Sequence, residues 1–414
     1  MDKNSTATSA SATTSAGLSP APRNYALFVV FIAIIGAFSS LVNDMYLPTI
    51  PTMMKEFHTT PSMTQMGLSM AMLGMGVGSV LWGSASDRYG RKPTLIISLV
   101  IFVAATVVSL FSRNIEFFIV CRLFQGFGAG GAMVLSTSIP ADVYMGRQLA
   151  KLMAVVGMIN GVAPALSPVI GGFMADHMGW RGIFIVLLAI GLIMTFWTTK
   201  YKETLPPARR LSAHGFSDYV KAYKSLFTNG RFMIYVTIKA VAIGLLYAYI
   251  SSAPFILQTH YGFSALTFGL IFGVNALAIS VGSTLALKFK VMKQGLVVGC
   301  IGMFVFALVE AIIIWHEAAF LWYEIFAVPM LLFCGMIFSS SNTLSMEVGR
   351  EEAGTASAIL SVVKYLFAAI VSPLVGLGNM FHSTAIAYVV ITLIALILAR
   401  MAARLSPLAD MERK

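Results

Sequence analysis

The chain has 414 residues, of which 58% are hydrophobic and 11% charged, and its formal net charge is +11. Soluble domains carry about a quarter charged residues, so this composition excludes a water-soluble globule. The apolar residues fall in continuous blocks of roughly twenty or more, the length a helix needs to cross a bilayer. Transmembrane barrel strands are about ten residues long and alternate apolar with polar, so a barrel is excluded too.

The first segment, MDKNSTATSASATTSAGLSPAP, has no apolar core ahead of a cleavage site and is not a signal peptide. Residues 1–24 read as a disordered cytoplasmic tail. Twelve apolar blocks follow, at approximately 25–50, 62–84, 93–111, 115–138, 146–174, 180–199, 231–257, 264–289, 294–315, 319–346, 352–378 and 383–404. The expected fold class is an all-α membrane protein with twelve transmembrane helices in two pseudo-symmetric six-helix bundles. The first bundle covers 25–199, a cytoplasmic linker 200–230, the second bundle 231–404 and a short cytoplasmic tail 405–414.

Lysines and arginines orient these spans. Only Lys55, Arg113 and Arg181 fall in loops on one side, and Arg122, Lys239 and Lys364 fall inside spans. The remaining basic residues, including Arg88, Arg91, Lys92 and the run from Lys200 to Arg231, share the side of both termini. The positive-inside rule places that side in the cytoplasm. Orientation accounts for the basic charge, and no nucleic-acid partner is implied. In the linker, Phe216, Tyr219, Val220, Tyr223, Leu226 and Phe227 recur at helical spacing beside Lys221 and Lys224. An amphipathic helix on the inner membrane surface and an ordinary linker helix both fit this pattern.

The two halves repeat. SPVIG at 167–171 returns as SPLVG at 372–376, GSVL at 78–81 returns as GSTL at 282–285, and Pro48 corresponds to Pro254. Nearly one offset for three matches argues for a duplicated six-helix unit, an architecture of transporters that hold substrate between the halves.

Ionisable residues inside the spans are the first functional candidates. Asp44 lies six residues before Ile50 and Arg122 seven after Ile115, so each is expected about 10 Å below the outer surface. Equal depth makes them candidate partners, either as a static ion pair or as a proton-coupling pair. Apolar surroundings disfavour the charged form of a carboxylate, and a neighbouring guanidinium favours it. An acid balanced between these effects can load a proton on one side and lose it on the other, with substrate competing for the same group. Pro48 and Pro51 interrupt the helix just beyond Asp44, and the freed backbone groups must face protein or water.

Lys239 and Lys364 are further buried charges, open to a cavity role or a pairing role. Asn43, Tyr46, Gln125, Tyr247, Phe255, Asn275 and Tyr365 are polar or aromatic groups within apolar helices, and with Asp44, Arg122, Lys239 and Lys364 they make up the expected substrate pocket. Met63, Met66, Met70, Met72 and Met75 in span two suit either packing or an adaptable pocket. Glu310 and Glu324, near the outer ends of their spans, are expected to be solvated.

Five stretches carry a resemblance. The loop GSASDRYGRKP, from Gly83 through Asp87, Arg88, Gly90 and Arg91 to Pro93, resembles the signature loop of the major facilitator superfamily. The resemblance implies that these residues hold a cytoplasmic gate closed in the outward-facing state, with Asp142 as a partner for Arg91. RLFQGFGAGG, from Arg122, looks like that family's Arg-x-x-Gln-Gly motif. GMINGVAPALSPVIGG, containing Gly157, Gly161, Pro164, Pro168, Gly171 and Gly172, is similar to its antiporter motif. Close helix packing alone would also account for these small residues. Together with NDMYLPTIP and SSAPFILQTHYGFS at 251–264, they look like the Bcr/CflA group of drug–proton antiporters over about 25–404. Gly36 stands where some relatives carry a second acid, and Ala141 where relatives often carry Arg.

The sequence holds no nucleotide-binding GxxxxGK[ST] motif, and its six histidines and three cysteines have no metal spacing. The expectation is therefore a secondary transporter and not an enzyme: a monomer in the inner membrane with both termini cytoplasmic. It would export small lipophilic molecules in exchange for protons, with no cofactor and no metal. A dedicated proton-coupled transporter of a metabolite such as an amino acid or siderophore is the alternative, and a receptor on the same scaffold is the rival from another class.

Overall fold

The structure of the protein is a computed structural model that describes residues 24–206, 210 and 216–404. Both expected tails, apart from Asn24, lie outside the described residues. The elements are α1 (Tyr25–Asp44), a 3-10 turn (Leu47–Thr49), α2 (Ile50–Glu56), α3 (Pro61–Tyr89), α4 (Arg91–Leu110), α5 (Ile115–Val143), α6 (Gly146–Lys200), α7 (Phe216–Thr228), α8 (Gly230–Phe255), α9 (Ala265–Leu285), α10 (Met292–Trp315), α11 (Phe320–Val348), α12 (Ala353–Val375) and α13 (Met380–Arg404). α1 and α2 together form one span, Tyr25–Glu56.

α6 was expected as two spans and is one helical run of 55 residues. Gly179 sits within it at φ 65°, ψ −172°, a conformation that side chains resist, and the chain reverses there without a loop. Both ends of α6 return to one face. Tyr144 and Tyr201 lie 5.7 and 5.8 Å from the Phe28 ring. Trp180 instead packs against Phe57, with ring centroids 5.6 Å apart, and donates to Glu56. α6 therefore supplies two crossings, and the described residues make twelve.

Backbone-to-backbone packing shows the repeat directly. A Cβ on Gly78 of α3 would strike the Phe127 carbonyl of α5, and one on Gly282 of α9 would strike the Leu332 carbonyl of α11. Gly130 meets the Met75 carbonyl, and Gly335 meets that of Ile279. The same contacts recur in the second half at nearly the offset read from the sequence. Small residues permit this approach, and dispersion contacts hold it in a medium with no hydrophobic drive between helices.

The halves meet along α3 with α12 and α6 with α9. At the face away from the termini they are tied together. Ser62 Oγ donates to the Pro373 carbonyl at 2.9 Å, Gln65 Nε2 to Ser251 at 2.9 Å, and Gln258 Nε2 to Pro48 at 3.0 Å. Toward the terminal face a cavity of about 1010 Å³ opens between them. In the linker, α7 docks through Leu226, which is buried against Phe232, Ile359 and Leu360 of the second half, while Phe227 is exposed.

Candidate substrate and proton site

The site is built around the break in the first span. α1 ends at Asp44 because Pro48 and Pro51 cannot continue a hydrogen-bonded helix, and the 3-10 turn at Leu47–Thr49 carries the chain to α2. The span runs on to Glu56, so Asp44 lies about 18 Å along the helix from that end, deeper than the 10 Å expected from a span ending at Ile50. Asp44 is 8% exposed and lines the cavity. It makes neither a hydrogen bond nor an ion pair among the described residues. The cations near it are Lys364, on the cavity wall, and Arg122, behind it.

The expected Asp44–Arg122 pair is not formed. Arg122 is fully buried and committed elsewhere. Its Nη1 and Nη2 both donate to the Val42 carbonyl at 3.2 Å, its Nε to Gly67 at 3.3 Å, and its Nη1 to Gln125 Oε1 at 2.6 Å. Its guanidinium also lies over the Tyr46 ring, 4.4 Å from the centroid. The helix break explains this arrangement. Val42 loses its i+4 donor where α1 stops, and a buried cation at a helix C-terminus satisfies the orphaned carbonyl.

Asn43, Asp44, Lys239, Tyr247, Asn275, Lys364 and Tyr365 all line the cavity. Tyr46, Arg122, Gln125 and Phe255, also expected in the pocket, do not. Each is packed between helices behind the wall, and Gln125 is held by Arg122 and by Thr106 Oγ1 at 2.8 Å. Sequence reasoning missed Ser39, Ser40, Tyr249, Phe272 and Asn342 on the wall. Ser39 and Ser40 lie one helical turn before Asp44, and that spacing was a usable signal. Asn342 gave itself away less clearly, in a run of serines. Lys239 Nζ donates to Asn342 Oδ1 at 2.6 Å, and Lys364 Nζ lies 4.9 Å from the Tyr365 ring centroid. None of the span-two methionines is on the wall, and Asn43 Nδ2 contacts Met75 Sδ at 3.2 Å.

The antiporter-like motif divides in two. Gly157 and Pro164 line the cavity, and a Cβ on Gly157 or Gly161 would meet nothing within 4 Å. Pro168, Gly171 and Gly172 pack instead. A Cβ on Gly171 would strike the Met45 carbonyl at the break in span one, and one on Gly172 the Ala265 carbonyl across the half-to-half seam, while the Pro168 carbonyl meets Gly269.

At the terminal face the expected partner of Arg91 is found. Its Nε bonds Asp142 Oδ2 at 2.8 Å and its Nη1 bonds Asp87 Oδ1 at 2.5 Å and Ser86 Oγ at 2.7 Å. Gly83 lies one turn before Asp87, and its Cβ position faces Val134 of α5. Gly90, at φ 107°, makes the turn into α4. Glu203, which sequence reasoning missed, accepts from the Arg91 and Lys92 amides at 3.0 and 3.2 Å and caps that helix. Arg88 stays outside this network, 5.4 Å from the ring centroid of Tyr89. All of these ties lie within the first half and its linker. In this conformation, open at the terminal face, the network braces one bundle and does not bridge the two.

Glu310 and Glu324 are not simply solvated as expected. Glu310 is 0% exposed, and neither of its carboxyl oxygens has a partner among the described residues.

A cavity between two repeated six-helix halves, closed at one face and lined by ionisable side chains from within the spans, defines a multi-pass membrane transporter of small molecules. The Major Facilitator Superfamily profile matches residues 32–373, and the chain belongs to that family. It is 34% identical to the uncharacterized MFS-type transporter YdgK of Bacillus subtilis over 81% of this chain and 85% of that one. Multidrug resistance protein D of Escherichia coli is 25% identical over 82% and 85%, respectively. The xylose transporter XylE from E. coli, in a partially occluded inward-open conformation, superposes with a TM-score of 0.69 at 16% identity, over 93% of this chain and 99% of that one. The family is one of secondary transporters, so the protein is a transporter and not an enzyme.

Proposed function

We propose that the protein exports small lipophilic molecules across the inner membrane in exchange for protons, by alternating access, with both termini in the cytoplasm. The single observation that carries this reading is Asp44: a carboxylate at a helix break, on the wall of the central cavity, with no bonded partner. A neighbouring cation favours its charged form and burial disfavours it, so small changes in the cavity shift its protonation. With the cavity open to the cytoplasm, a cationic or polar substrate that enters favours the ionised acid. After the halves rock, a proton from outside displaces the substrate. Inward proton movement supplies about 2.3 kcal/mol per 100 mV of membrane potential. Protons are the coupling ion and no other cofactor is required. The positive-inside distribution of basic residues supports the orientation. The relatives named for multidrug and bicyclomycin resistance support the substrate class.

The alternative keeps the proton coupling but assigns one metabolite as cargo. Lys239 and Lys364 on the same wall favour it, because two amines opposite one carboxylate suit an anionic or zwitterionic ligand.

Transport in proteoliposomes tests the mechanism. Asp44→Asn is expected to abolish substrate movement driven by a pH gradient while the protein stays folded and monodisperse. Coupled transport at the wild-type rate would eliminate the proposal. A susceptibility panel in an efflux-deficient host separates drugs from a single metabolite.

A further inference from the structure

The second half contains a polar cluster that the cavity mechanism does not use. Glu310 of α10 lies in the interior of the second bundle, and Glu324 of α11 acts on it. The groups facing this acid pair come from every neighbouring element: Tyr323 of α11, Tyr249 of α8, Asn275 of α9, Tyr388 of α13 and Tyr261 after α8. Among the described residues, no lysine, arginine or histidine acts on either glutamate.

The hydrogen-bond inventory of the cluster is incomplete. Both oxygens of Glu310, Oε2 of Glu324, Oδ1 of Asn275 and the hydroxyls of Tyr323 and Tyr388 are buried without a partner among the described residues. The Asn275 amide has already given a hydrogen to the Tyr249 hydroxyl, at 2.8 Å. Buried polar groups in native proteins are paired, and buried carboxylates are paired with cations or carry protons. Cations are missing here, so the fully buried Glu310 is accommodated as the neutral, protonated acid. In that form its hydroxyl can also donate to a neighbouring oxygen.

Tyr249 and Asn275 have a second property. Both line the central cavity, while Glu310 sits fully buried behind them. The linked pair of side chains thus borders both the cavity and the acid pair.

We propose that Glu310 and Glu324 form a second proton-binding site, in the second half, which exchanges protons with the central cavity past the Tyr249–Asn275 pair. This deepens the proton-coupled reading and rests on it for its role in transport, but the presence of the protons is measurable without transport. The site binds protons and carries out no covalent chemistry.

Infrared spectroscopy of the wild-type protein in lipid nanodiscs, grown with isotope-labelled glutamate, tests it. At neutral pH a protonated-carboxyl band that shifts with the glutamate label is expected. Its absence would overturn the proposal with no variant needed. Glu310→Gln and, separately, the half-buried Glu324→Gln are each expected to weaken or shift the band. Asp44→Asn is expected to leave it in place. Tyr249→Phe is expected to change its hydrogen–deuterium exchange rate severalfold; an unchanged rate would remove the cavity route. Replacing N-methylglucamine chloride by sodium chloride should not alter the band. Its loss in sodium would mean that the cluster holds a metal cation, against the proposal. If the band persists while Asp44→Asn still couples transport to protons, the reading of Asp44 fails and the second site stands.

Discussion

Arg122 donates from both of its terminal nitrogens to the Val42 carbonyl, at 3.2 Å each, and from none to Asp44, two residues further on. The arginine caps the broken helix, and the acid beside it is left free to face the cavity. Removing the guanidinium would leave the carbonyl buried and unpaired, at a cost of about 1–3 kcal/mol. Arg122→Gln is therefore expected to lower the melting temperature in detergent by several degrees. An unchanged melt would show that the cap carries no stability.

Lys364 and Asp44 line the same cavity, whereas Arg122 is packed behind its wall. A nearby cation favours the ionised carboxylate, so taking it away favours the protonated one. Lys364→Gln should move the pH profile of transport toward higher pH, with Asp44 holding its proton further into the alkaline range. A shift toward lower pH in proteoliposome assays would contradict this influence of Lys364.

Arg91 holds two acids at once, and Asp142 is buried beneath it. Breaking a buried pair from one side leaves an uncompensated charge, which costs about 3–5 kcal/mol. Arg91→Ala is expected to destabilise the first bundle accordingly. Glu203→Gln, which weakens only the cap on the Arg91 and Lys92 amides, should cost about 1 kcal/mol. Equal melting temperatures for the two variants would reject this ranking.

Gly282 meets the Leu332 backbone, whereas a Cβ at Gly157 meets nothing within 4 Å. Gly282→Val should cost about 1–3 kcal/mol or more and reduce the yield of monodisperse protein. Gly157→Ala should keep or raise the melting temperature, because alanine favours a helix over glycine by about 1 kcal/mol. The reverse order would count against the packing described.

The twelve crossings, the repeat and the Arg91–Asp142 pair were legible in the sequence. A span is a local property, set by the apolar run a bilayer requires, whereas Arg91 and Asp142 stand 51 residues apart and their pairing was implied by the resemblance of the loop. Even so, the reversal at Gly179 was read as a loop, since nothing in the local composition distinguishes a glycine that turns a helix back from one that precedes a linker.

Which way each helix is turned about its axis was decided only by the tertiary structure. Rotation separates Asp44, on the cavity, from Arg122 and Tyr46, behind it, although depth alone made the two charges partners. It also placed Glu310 in the interior of a bundle and not at a solvated helix end. Periodicity in a membrane helix is weak, because lipid and protein interior are both apolar. Contacts such as Gly78 against Phe127 and Gly282 against Leu332, formed between spans distant in the chain, choose the rotation that the sequence of a single helix leaves open.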